Sequence, residues 1–139
     1  GLTLHLHPLE EQVLSYAPLF ADQWGLSYVP YEGPLEFLTP GSVLEMGSEK
    51  IDILFTPGHS PGSVSFYHAA GKWVISGDVL FQESIGRTDL PGGNHETLLK
   101  SIREELFSLP DDVQVYSGHG PVTFIGREKA SNPFLMDQR

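Results

Sequence analysis

Ile51-Asp52-Ile53-Leu54-Phe55-Thr56-Pro57-Gly58-His59-Ser60-Pro61-Gly62-Ser63 is the stretch on which the fold turns. Ile51, Ile53 and Phe55 recur with the period of two that marks a strand. Pro57-Gly58 stops that strand, and His59 is the first residue past the stop. The same grammar recurs twice downstream. Trp73 to Ile75 form a strand that runs through Ser76 into Gly77-Asp78. Val113, Val115 and Tyr116 form another that runs through Ser117 into Gly118-His119-Gly120. Each strand meets a glycine and is followed by a potential metal ligand. Glycine permits a sharp departure from the strand and leaves room for close approach. If the three strands share a sheet and an edge, His59, Asp78 and His119 converge outside it. Two imidazoles and a carboxylate suit zinc, or iron in a two-histidine, one-carboxylate set. Singly, each segment also reads as an ordinary turn. The specificity lies in all three, in this order.

Working outward, Leu2, Leu4 and Leu6 alternate with Thr3, His5 and His7 as a short strand. Pro8 suits a first helical turn. Leu9, Val13, Ala17 and Phe20 share a helical face, on which Pro18 should kink or restart the helix. Residues 28–47 carry Pro30, Gly33, Pro34, Pro40 and Gly41 and are expected to be a linking loop with a short strand near Val43. Val64 and Phe66 lie on a strand joined to the next by a turn at Ala69-Ala70-Gly71-Lys72. Residues 81–93 are expected to form a long loop. Asn94 caps a helix whose apolar face is Leu98, Leu99, Ile102 and Leu106, ended by Pro110. A short helix is expected after Gly126. His68 and His95 are explained as a strand-end and a first-turn helix residue.

The chain has 139 residues, enough for one domain. With 40% apolar and 19% charged residues, its composition is globular. No apolar run approaches the roughly 20 residues a membrane helix needs, so no membrane partner is expected. The net charge of −10 would repel phosphate backbones, so no nucleic acid is expected either. There is no cysteine, so a metal site must use His, Asp or Glu. The chain begins Gly1-Leu2-Thr3 without Met, and a trimmed start or a removed tag is expected.

Pro57-Gly58-His59-Ser60-Pro61-Gly62-Ser63, Ser76-Gly77-Asp78-Val79-Leu80-Phe81, Gly86-Arg87-Thr88-Asp89 and Ser117-Gly118-His119-Gly120-Pro121 resemble the later motifs of the metallo-β-lactamase superfamily. Asn132-Pro133-Phe134-Leu135 is similar to the tail of its small glyoxalase II-like members. The resemblance is firmest from Lys50 to Leu135. It implies an α/β fold of the αββα type, with residues 1–139 as a partial domain resembling the second of its two halves. It implies His59 as a ligand of a first zinc, Asp78 as a carboxylate bridging two metals, and His119 as a ligand of the second.

The family's earlier His-x-His-x-Asp-His motif is not matched. After His5-Leu6-His7 it would require Asp and His where Leu9 and Glu10 stand, so His5 and His7 are read as strand residues. In the complete enzyme the resemblance implies two zincs, roughly 3.5–4 Å apart, and a hydroxide that attacks a thioester or ester carbonyl. Asp78 would fix the bridge and assist proton transfer. Arg87 would meet an anionic substrate or brace its loop through Asp89, with Glu83 as a lesser brace. Persulfide dioxygenase, with one iron, is the alternative activity, and a non-catalytic half-fold acting by self-association is the third. The isolated chain is expected to hold zinc weakly or not at all and to be inactive. It is also expected to form a homo-oligomer through an uncovered sheet face, or to associate with the missing N-terminal half, and to be cytoplasmic.

Overall fold

In the computed structural model, which describes residues 1–136, short strands and three α-helices alternate. In chain order they are β1 (Leu4–Leu6), α1 (Glu10–Gln23), β2 (Leu35–Phe37), β3 (Val43–Met46), β4 (Glu49–Phe55), β5 (Val64–His68) and β6 (Trp73–Gly77). Then come β7 (Leu80–Phe81), β8 (Ser84–Ile85), α2 (His95–Ser101), a π-helical turn (Ile102–Leu106), β9 (Gln114–Ser117), β10 (Thr123–Phe124) and α3 (Ile125–Ser131). The last three residues of the expected 1–139 domain lie outside the described residues.

Six strands form one mixed sheet in the order β10-β9-β6-β5-β4-β3. β5 is antiparallel to both β4 and β6, and β9 is parallel to β6. β4, β6 and β9 therefore run in the same direction, and their C-terminal ends open on one edge of the sheet. This is the α/β architecture with a shared edge that the strand-glycine-ligand pattern anticipates.

One face of the sheet is covered by helices. Val74 and Val115 from the sheet pack with Leu98, Ile102, Leu106 and Ile125 from α2, the π-turn and α3, all with no exposed surface. Asn94 caps α2 as expected, its side chain accepting from the Thr97 N–H at 2.9 Å. The expected turn at 69–72 closes through the Lys72 N–H and the Ala69 carbonyl, with His68 ending β5 and His95 opening α2.

Several elements differ from expectation. Pro18 lies inside a continuous α1 rather than breaking it. Proline leaves one carbonyl of the preceding turn without its donor. No residue of α1 is fully buried, so water can serve that carbonyl. Pro8 precedes the helix, in a turn closed by the Glu10 and Glu11 N–H groups. The 28–47 segment contains a second strand, β2, parallel to β1. The 81–93 loop begins with the β7–β8 hairpin. The helix after Asn94 changes to π geometry at Ile102, and the last helix starts at Ile125, just before Gly126.

The second sheet face is only partly open. β1 and Leu38, the residue after β2, lie over part of it, so that Leu6 and Leu38 line one cavity with Val64 and Phe66. Ile51 and Ile53 are buried, whereas Ile75 and Tyr116 stay exposed next to Trp73. The uncovered apolar surface is therefore smaller than the full face expected from Ile53, Phe55, Val64, Phe66 and Trp73. Among the described residues no helix is long and apolar enough to cross a membrane.

Candidate metal centre

β4, β6 and β9 deliver His59, Asp78 and His119 to the same sheet edge. His59 Nε2 lies 3.6 Å from Asp78 Oδ2, and His119 Nδ1 lies 3.5 Å from Asp78 Oδ1. The carboxylate thus stands between the two imidazoles, one oxygen towards each. Both separations are long for hydrogen bonds. They match the spacing of two donors on one tetrahedral metal, which at ligand distances of about 2.0–2.2 Å is about 3.3–3.6 Å. No three His, Asp or Glu side chains among the described residues converge on a single metal position. The arrangement is two adjacent pairs sharing one carboxylate.

His59 is fixed in orientation. Its Nδ1 lies 2.8 Å from the Arg87 carbonyl oxygen. A carbonyl can only accept, so Nδ1 donates to it, and Nε2 is turned towards Asp78. Histidine ligands are commonly oriented by such a bond at their other nitrogen. His119 is more exposed, with 76% of its side chain accessible, and is steadied by the Phe81 ring at 4.6 Å.

The glycines are explained by close approach. A β-carbon on Gly118 would collide with Asp78 Oδ1, and one on Gly86 with the Asp78 carbonyl oxygen. A side chain at Gly58, whose φ is +134°, would strike the Leu98 backbone. The His59 loop is further tied down by Ser101 Oγ, which donates to the Pro57 carbonyl at 2.7 Å. From the other side Ser60 Oγ donates to the Glu10 carboxylate, and so does the Gly62 N–H, at 3.1 Å. Glu10 had no sequence signal beyond that of an acid in a first helical turn.

A cavity of about 420 Å³ opens beside Asp78 and His119, walled by Phe81, Ile85, Arg87 and Pro121 among others. Arg87 lines it, but its guanidinium is engaged. Nε and Nη2 donate to the two oxygens of Asp89 at 2.7 and 2.9 Å. The pairing raises the Arg87 pKa and holds the Asp89 carboxyl at about 2. Of the two roles weighed for Arg87, the brace to Asp89 is formed. Glu83 takes part through its backbone: its N–H donates to Glu128 Oε1 at 2.8 Å. His7 stacks on Phe55 at 4.8 Å and accepts the Leu9 N–H, as a residue packed at a strand end.

A sequence profile described as the metallo-beta-lactamase superfamily matches residues 2–119. The chain belongs to the metallo-β-lactamase superfamily. It is 47% identical over 135 residues to "Probable metallo-hydrolase YqgX" of Bacillus subtilis, covering 96% of this chain and 64% of that protein. It is 48% identical over 99 residues to "Hydroxyacylglutathione hydrolase GloC" of Haemophilus influenzae, covering 71% of this chain and 47% of that protein. The crystal structure of TTHA1623 in a di-iron-bound form superposes with a TM-score of 0.87 at 42% identity, covering 96% of this chain and 65% of that one. The chain therefore spans about half to two thirds of the length of these relatives. The superfamily is one of metal-binding, generally hydrolytic enzymes, and the fold expected from the motifs is the one observed.

Proposed function

We propose that this chain carries part of the active site of a zinc-dependent thioester or ester hydrolase, of the hydroxyacylglutathione hydrolase type. The observation that carries the proposal is the Asp78 carboxylate, each oxygen facing a different imidazole at 3.5–3.6 Å. Similarity to GloC supports the substrate class. Zinc bound here would supply a Lewis acid and a nucleophilic hydroxide near neutral pH. His59 offers a lone pair held in place by the Arg87 carbonyl. Asp78 offers one oxygen to each of two adjacent positions. His119 closes the second pair. Phe81, Ile85 and Pro121 give the neighbouring cavity an apolar wall for an acyl group. Arg87, neutralised by Asp89, contributes order to the loop and little net charge to the cavity.

The test is metal content together with thioester hydrolysis, using S-lactoylglutathione, on the protein purified from its source and on its Asp78→Asn variant. Zinc in the parent, with metal and turnover both lost in the variant, is the expected result. Turnover that survives Asp78→Asn would remove Asp78 from the site.

One observation favours a second reading. The similar TTHA1623 structure holds two irons, so the donor set of this fold also accepts iron. A persulfide dioxygenase would use a single iron and consume oxygen with a persulfide substrate, and an oxygen electrode with an iron count separates it from the hydrolase.

A further inference from the structure

Glu128 is a carboxylate with no exposed surface, in a helix that contributes no ligand. A buried charge is costly unless hydrogen bonds satisfy it. Here all its partners are donors. Oε1 accepts from the Glu83 N–H at 2.8 Å and from Asn132 Nδ2 at 2.9 Å, and Oε2 accepts from Thr123 Oγ1. Glu83 is at the tip of the β7–β8 hairpin, with a φ of +58° that a residue with a side chain rarely adopts. Asn132, also wholly buried, donates to the Ser84 carbonyl at 3.1 Å. Glu128 and Asn132 together therefore hold both sides of the hairpin tip. That hairpin supplies Phe81, Ser84 and Ile85 to the cavity wall, and Phe81 is the ring beside His119. An apolar residue at 128 would fill the same space but could not accept the Glu83 N–H.

We propose that Glu128 is a positioning residue: its buried carboxylate sets the β7–β8 hairpin and, through Phe81, the orientation of the His119 ring. Its metal consequence rests on the reading of His119 as a ligand. Its effect on the hairpin does not.

The test compares Glu128→Met with Glu128→Gln in this chain. Glutamine can still accept from Glu83 and Asn132, while the Thr123 hydroxyl turns to accept from the new amide. Amide hydrogen exchange of residues 81–85 is read against that of Val74 and Val115, together with the His119 ring chemical shifts. In Glu128→Met, hairpin exchange rises at least about tenfold more than core exchange, as local opening outpaces global unfolding. The His119 resonances shift at the same time, and Glu128→Gln restores both. If Glu128→Met does not fold, Asn132→Ala carries the same comparison, since it removes the bond to the Ser84 carbonyl. Hairpin exchange that rises only in step with the core, or His119 shifts identical to the parent's, would overturn the proposal. Zinc affinity by chelator competition should fall about 10- to 100-fold in Glu128→Met, the usual scale for residues that orient ligands. Zinc affinity unchanged in Glu128→Met would overturn its metal consequence, while the exchange data still decide Glu128.

Discussion

Gly118 shows how much one missing β-carbon matters at this site. Alanine there would meet Asp78 Oδ1, the oxygen that faces His119. Gly118→Ala should therefore displace the carboxylate and weaken zinc binding at least tenfold without unfolding the chain. Competition with a chromophoric chelator and the circular dichroism spectrum check the two parts. Asp89 allows a prediction with pH. Its carboxyl is held at about 2 by hydrogen bonds from the Arg87 guanidinium, below its ordinary value of 3.8. A depressed folded-state pKa contributes stability that is complete above the unfolded value and is lost as pH falls through the folded one. The loop brace should therefore be intact above pH 3.8 and titrate away near pH 2. Both groups are exposed, so little change in global stability accompanies it. NMR titration of the Asp89 carboxyl should give a midpoint near 2 that moves up towards 3.8 in Arg87→Ala.

At the scale of elements, α2 with its π-turn is the helix that holds the ligand edge to the core. Its cap bond and the Ser101–Pro57 bond lie on either side of the His59 loop, which also receives the Asn94 N–H at the Gly58 carbonyl, 2.7 Å away. Asn94→Ala removes the side-chain cap and should cost about 1 kcal/mol. Leu98 has no exposed surface and touches the place where a Gly58 side chain would stand. Leu98→Ala should cost about 2–5 kcal/mol. Thermal or denaturant unfolding measures both, and the leucine variant should be the more damaging. The Asn94 cap was legible because a capping residue followed by a 3.6-residue apolar period is a local signal. The β7–β8 hairpin was not, because two strands of two residues each carry no periodicity. The π-turn was not legible either, since Ile102 and Leu106 satisfy an α-helical stripe and a π-turn equally well.

For the whole molecule, the open part of the second sheet face is the feature with a measurable consequence. Trp73, Ile75 and Tyr116 form an apolar patch there, while Leu6 and Leu38 lie over Val64 and Phe66. A stable interface buries about 800 Å² per partner. Three side chains cannot supply that alone, so association of this chain through the patch should be reversible and concentration-dependent. The net charge of −10 opposes it, and salt should strengthen it by screening. Sedimentation velocity across protein and salt concentration should show a monomer–dimer equilibrium. A monomer at every concentration would mean that β1, β2 and α1 cover enough of the face.

What the sequence determined by itself was local and repeated. Three strands that end in glycine, each followed by a ligand-type residue, pointed to His59, Asp78 and His119 and to one shared edge. That inference needed only the period of two and the conformational freedom of glycine. Their direction in the sheet, and so their meeting at 3.5–3.6 Å, depended on β5 being antiparallel to both neighbours and β9 being parallel to β6. Only the tertiary structure decided that Glu128 is a buried brace. In sequence it stands between Arg127 and Lys129 and looks like one charge on a solvated helix face. Burial of a carboxylate depends on donors from elsewhere in the chain, here Glu83, Thr123 and Asn132, and no local pattern reports where they will meet.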